Sequence, residues 1–123
     1  MCVDRNNRLA GTIPSLSNLA SLEVLYLQNN SLTGGLDDLV STAPPNLRKV
    51  MLSSNTLTGT LPDDVGRMAS LTELRVESNE LSGTVSSGVC GLIASGSLDT
   101  LVSDCDAGRD GPRVECSCCT ECH

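Results

Sequence analysis

Aromatic side chains are almost missing from this sequence: there is no Phe or Trp, and Tyr26 is the only Tyr. Whatever core the chain builds is therefore made of Leu, Val, Ile and Met. Histidine is nearly absent too, with His123 standing alone as the last residue, so no Ser/His/Asp or Cys/His set is available for nucleophilic catalysis. Basic residues are few, 8 against 15 acidic ones, and the formal charge of -7 excludes the basic surface that nucleic acids and anionic membranes require. No run approaches the roughly 18 apolar residues of a membrane-spanning helix, so no transmembrane segment is expected. The first residues are polar and charged, and nothing in them resembles a secretory leader.

What is abundant is periodic. Asn7, Asn30, Asn55 and Asn79 stand 23, 25 and 24 residues apart, each followed by x-Leu-x-Gly. The four segments begin Asn7-Arg-Leu9-Ala-Gly11, Asn30-Ser-Leu32-Thr-Gly34, Asn55-Thr-Leu57-Thr-Gly59 and Asn79-Glu-Leu81-Ser-Gly83. Upstream of the last three, apolar residues recur as Leu19, Leu22, Leu25, Leu27, then Leu47, Val50, Leu52, then Met68, Leu71, Leu74, Val76. This is the L-x-x-L-x-L-x-x-N-x-L pattern of leucine-rich repeats. The expected fold is an α/β solenoid, with short parallel strands on a concave face and turns, 3-10 or short helical segments on the convex one.

The spacing has a direct physical meaning. An L-x-L pair has the period of two that sends both side chains to one face of a strand. An asparagine placed where the chain leaves the strand both donates and accepts, so a stack of its amides can satisfy backbone groups between coils. The glycine four residues later suits a positive φ or a close approach of the next coil. Because one repeat cannot bury its own apolar face, about three or more must stack.

Residues 1–103 read as about four repeats plus a degenerate fifth, and 104–123 as a cysteine-rich cap. Register puts Cys2 and Asp4 at the positions held by Leu25 and Leu27 in the next repeat, so no N-terminal capping unit is apparent and the chain reads as a fragment of a longer array. In the fifth repeat Leu98 and Leu101 keep the inward positions, Ser103 replaces the next leucine, and Asp106 takes the asparagine slot, where an acceptor-only carboxylate would end the ladder.

Six cysteines crowd this end: Cys90, Cys105, Cys116, Cys118, Cys119 and Cys122. Zinc is one reading, but the usual second, distant ligand pair is lacking. Cys119-Thr-Glu-Cys122-His123 also matches a haem-attachment string, yet no Met or second His is placed to ligate opposite His123. A disulfide-stapled cap with fifteen open connectivities is the preferred reading, without metal or cofactor, and it implies an oxidising compartment. The paired acids Asp37-Asp38 and Asp63-Asp64 follow the repeat motif, where they suit the starts of helices better than acid-base chemistry. The chain is expected not to be an enzyme.

The endings Gly11-Thr-Ile13-Pro14 and Gly59-Thr-Leu61-Pro62 resemble the plant-type extracellular leucine-rich repeat of receptor-like kinases and polygalacturonase-inhibiting proteins. Asp104-Cys105, with Val114-Glu-Cys116-Ser-Cys118-Cys119-Thr120 and Cys122, is similar to the cysteine cap of diatom leucine-rich repeat proteins. The Gly34-Gly-Leu36-Asp37 segment departs from the pattern by lacking the proline, and the second coil is lengthened by Ala43-Pro44-Pro45. The resemblance implies a secreted or surface-displayed recognition protein.

On such a solenoid the concave columns read Tyr26, Met51, Arg75, Val102, then Gln28, Ser53, Glu77, Asp104, with Glu23, Arg48, Thr72, Asp99 and Val24, Lys49, Glu73, Thr100 before them. Tyr26, Gln28, Arg48, Lys49, Met51, Arg75 and Glu77 are the candidate ligand-binding residues, since they join large apolar and basic groups on an otherwise acidic chain and Tyr and Arg are enriched at hot spots. Asn29-Asn30-Ser31 is a glycosylation sequon, placing Asn29 at the edge of that face. A protein, peptide or glycan partner is expected, without nucleic acid, outside the cell or at its surface. The alternative is a structural or adhesive array in which cysteines link chains.

Overall fold

The computed structural model describes residues 9–106 and 113–123. Asn7, Cys2 and Asp4 lie outside them. Strands β1 (Ala10–Thr12), β3 (Ser31–Gly34), β5 (Thr56–Gly59) and β7 (Glu80–Leu81) form one parallel sheet, in the order β1-β3-β5-β7. Strands β2 (Val24–Tyr26), β4 (Lys49–Met51), β6 (Glu73–Arg75), β9 (Thr100–Ser103) and β11 (Glu121–Cys122) form a second, in the order β11-β9-β6-β4-β2. A short third pairing joins β8 (Gly83–Thr84) to β10 (Val114–Glu115). Helices α1 (Asp37–Ser41) and α2 (Ser87–Ala94), with a 3-10 turn over Asp63–Arg67 between them, occupy the connections.

All three sheets are parallel, because each coil repeats the path of the one before. The inward residues of the L-x-L pairs, Leu25 and Leu27, Val50 and Leu52, Leu74 and Val76, are buried in one continuous core with Leu22, Leu47, Leu71, Leu98 and Leu101. Among the described residues the buried core is Leu, Val and one Ile; Met68 packs against it only partly buried, so methionine contributes less than composition suggests. The acids of Asp37-Asp38 and Asp63-Asp64 stand in the first turns of α1 and the 3-10 segment, where the partial positive charge of free N–H groups favours them.

The asparagine ladder crosses the stack in one repeated gesture. Leu9, Leu32 and Leu57 each donate their N–H to the amide oxygen of the next coil's asparagine, Asn30, Asn55 and Asn79, at 2.9, 3.0 and 3.0 Å. The amide nitrogens donate to carbonyls at the strand ends: Asn55 to Leu27 and Leu52, Asn79 to Leu52 and Val76. With longer bonds to the Ser53 and Glu77 carbonyls, at 3.4 and 3.3 Å, each of these two amides ties four backbone groups from two coils.

All four repeat glycines, Gly11, Gly34, Gly59 and Gly83, have positive φ, and two of them also meet the neighbouring coil closely. Gly34 and Gly83 have φ of 82° and 81°, and a Cβ on them would meet the Thr12 and Thr60 methyl carbons at 3.0 and 2.7 Å. The threonine of one coil therefore rests on the glycine of the next. Three non-glycine residues, Asn29, Ser54 and Ser78, also adopt positive φ of 58° to 60°, immediately before the ladder asparagines. Asparagine is the residue best suited to that conformation; serine carries its ordinary steric cost.

Beyond the repeats the six terminal cysteines pair as Cys90 with Cys118, Cys105 with Cys122 and Cys116 with Cys119. The pairs fasten α2, the end of β9 and the terminal segment together. All six sulfurs are consumed, so none is a thiolate for zinc. The terminal segment also adds β11 to the concave sheet, with Glu121 opposite Val102 and Cys122 opposite Ser103.

Candidate functional site: the concave sheet

Parallel register sets the surface directly. Val24, Lys49, Glu73 and Thr100 lie side by side across β2, β4, β6 and β9, and Tyr26, Met51, Arg75 and Val102 form the parallel row two residues on. Leu25, Val50, Leu74 and Leu101 between them point into the core. Alternation along each strand therefore sends both rows to the opposite, concave face.

The candidate residues share that face, but their environments differ from the expected basic and apolar patch. Tyr26, Gln28, Lys49, Met51 and Arg75 are half-buried, and Arg48 is exposed. The cations are not free. Arg48 stands 3.9 Å from Glu23, and Glu73 holds both Lys49, at 3.9 Å, and Arg75, whose Nε donates to it at 2.6 Å. That hydrogen bond is the main reason the Arg75 guanidinium is held above its ordinary pKa. On this face each cation is thus paired with an acid, Arg48 with Glu23 and both Lys49 and Arg75 with Glu73, beside Tyr26 and Met51.

Two further corrections concern burial. Val102, expected as an open concave residue, is 2% exposed; it lies between Arg75 and Glu121, its neighbours in register, because the terminal strand covers this end of the sheet. Glu77, expected as an outward-facing ligand-binding residue of the concave column, is 8% exposed. Burial raises its carboxyl pKa, opposed by the Arg75 charge, a hydrogen bond from Ser53 and the nearby His123. One of its oxygens, Oε2, and the side-chain oxygen of Gln28, Oε1, are buried without a hydrogen-bond partner.

Asn29 is exposed just outside this column, in its left-handed turn, with its N–H on the Ser53 carbonyl. At the opposite end, the Asp104 carboxylate accepts from the N–H groups of Ser78 and Asn79 at 2.9 and 3.1 Å. In the two preceding coils the equivalent N–H groups, of Asn29 and Ser54, go to main-chain carbonyls of Ser53 and Glu77. Asp104, which the repeat pattern does not single out, supplies the bonds at this joint. A separate groove of about 480 Å3 opens beside the helical connections, between Val40, Pro44 and Leu47 of the lengthened second coil and Arg67 and Met68 of the third.

A leucine-rich repeat family model matches residues 20–81, which is half of the chain. The chain belongs to the leucine-rich repeat family. Among curated relatives, this leucine-rich repeat chain is 32% identical over 79 residues to Receptor-like protein 18 of Arabidopsis thaliana, covering 64% of the chain and 9% of that protein. It therefore spans a small part of the length of the curated relatives it matches. Among solved structures, it superimposes on the BIR2 ectodomain from Arabidopsis thaliana with a TM-score of 0.71 at 32% identity, covering 81% of this chain and 53% of that one. It is also similar to a plant peptide hormone receptor, RGFR1, solved in complex with RGF2: TM-score 0.61, 30% identity, 76% of this chain and 14% of the receptor. Among the described residues, no helix is long and apolar enough to cross a membrane.

Proposed function

We propose that this leucine-rich repeat chain is a non-catalytic extracellular recognition module that binds a protein, peptide or glycan partner on its concave sheet. The observation that carries the reading is the in-register row Tyr26, Met51, Arg75, half-buried on a surface whose backbone is fixed by strand pairing and whose charged side chains are held by Glu23 and Glu73. Such preorganisation lowers the entropy lost on binding. Similarity to receptor ectodomains, one of them solved with its peptide hormone, supports a ligand-binding role. Three disulfides support an oxidising location outside the cell or on its surface, in keeping with the diatom-like cap motif.

The test is a pull-down from extracellular medium with the oxidised chain and with its Tyr26→Ala/Arg75→Ala variant, after matching their melting curves. Retained partners should be lost from the variant, with a weakening of about tenfold or more, as expected for two residues at an interface centre. Equal retention, together with covalent dimers on non-reducing gels, would instead establish the adhesive array.

A further inference from the structure

Gln28, Ser53 and Glu77 occupy one column on three successive coils, directly beyond the row of Tyr26, Met51 and Arg75. Its two end members each bury an acceptor oxygen that no donor meets, Gln28 Oε1 and Glu77 Oε2. Glu77 is more than nine-tenths buried yet stands outside the hydrophobic core cluster, in the surface layer of the concave sheet. A buried acceptor without a donor is costly, more so when charged. The Arg75 charge offsets part of that cost, but Arg75 commits its Nε to Glu73 and leaves Oε2 without a hydrogen bond.

We propose that Gln28 and Glu77 are the specificity-determining acceptors of the concave site, and that they select a peptide segment carrying a cationic side chain for Glu77 and a hydrogen-bond donor for Gln28. This rests on the concave-face reading above and narrows it. The two columns' ends are two strand steps apart, about 9.6 Å at the usual spacing of parallel strands. An extended ligand lying along the solenoid axis advances about 3.3 Å per residue and turns alternate side chains to the sheet, so the cation and the donor fall about two or four residues apart. Glycan hydroxyls would fill both acceptors but leave the Glu77 charge uncompensated. An acidic ligand would be repelled, both by Glu77 and by a chain carrying a net charge of -7. Each side chain must rotate for its buried oxygen to meet the ligand, a motion side chains make without strand movement.

The experiment is selection of a random heptapeptide phage library on the oxidised chain alone, followed by affinity measurement of synthetic peptides of the enriched sequences on the parent and on its Glu77→Gln, Gln28→Ala and Tyr26→Ala variants. Enriched peptides should contain Arg or Lys with a donor side chain about two or four residues away. Glu77→Gln should weaken them about tenfold, the worth of a charge-assisted hydrogen bond, and Gln28→Ala by a smaller factor, with melting temperatures checked for each variant. Cation-free peptides that need Tyr26 but bind Glu77→Gln equally well would overturn the acceptor pair and leave the concave-face reading standing. Peptides indifferent to both Tyr26→Ala and Glu77→Gln would overturn both. No enrichment at all would overturn the acceptor pair.

Discussion

The array and its cap meet the same demand by different chemistry. From Leu9 to Asn79 every coil has a successor, and one asparagine per coil satisfies backbone groups on both sides of the junction. Past Asn79 the amide repeat gives way to individual solutions. The Asp104 carboxylate takes two N–H groups, the Thr120 hydroxyl both accepts from the Leu101 N–H and donates to its carbonyl, and three disulfides fasten the rest. A repeating neighbour lets one residue type do the work, whereas the last coil needs covalent links and a returning strand to cover Val102. The comparison predicts a graded cost within the cap. Chain-entropy arithmetic for the Cys90–Cys118 link, across a separation of 28, gives about 3.5 kcal/mol, against about 1.5 to 2 kcal/mol for Cys116–Cys119 at a separation of 3. Urea unfolding of the paired Cys→Ser variants should show that order; the reverse order would mean that the links act by holding native geometry.

Removing one rung should hurt most where the rung is driest. Asn79 is 3% exposed, while Asn30 is half-buried. Asn79→Leu leaves the Leu57 N–H and the Leu52 and Val76 carbonyls without their side-chain partner. At about 1 kcal/mol or more for each orphaned group, the loss should be roughly 3 kcal/mol, close to that of the longer disulfide. Asn30→Leu should cost clearly less, since water can replace a partly exposed amide. Denaturant midpoints of the two variants check this, and equal losses would mean that the ladder acts as one cooperative unit.

The array was readable from the chain because its physics recurs. Four copies of one spacing identify the strand leucines, the amide ladder and the positive-φ glycines, and registers drawn from the repeat agree with the strand pairing. The cap is not periodic, so its three pairings and the strand at Glu121–Cys122 had no pattern to announce them. That one strand accounts for the burial of Val102. The left-handed turns escaped notice because Asn29, Ser54 and Ser78 share a conformation without sharing a residue type. At the concave face the columns could be listed, but column order alone does not say that Glu73 lies between Lys49 and Arg75 and holds both. The earlier coils hold Gln28, Ser53 and Glu77 at the slot of Asp104, giving no hint that Asp104 would turn its carboxylate back onto Ser78 and Asn79.

Glu77 stands where array and cap meet, with Ser53 on one side and His123 on the other acting on its carboxyl. Its folded-state pKa is raised from an ordinary 4.5, chiefly by burial. A carboxyl whose folded value exceeds its unfolded one binds more protons in the folded chain, so its charging lowers stability as pH rises. Below about 4.5 that cost is absent; it grows as pH climbs through the raised value and is complete above it. Arg75, Ser53 and His123 all favour the charged form and reduce the cost without abolishing it. Glu77→Gln should therefore melt higher than the parent at neutral pH, by a few degrees at most for a domain of about this size, and the two curves should converge as pH falls toward 4.5. Parallel melting curves across this range would show that the Glu77 carboxylate is already compensated, and with it the vacancy that the proposed peptide cation fills would disappear.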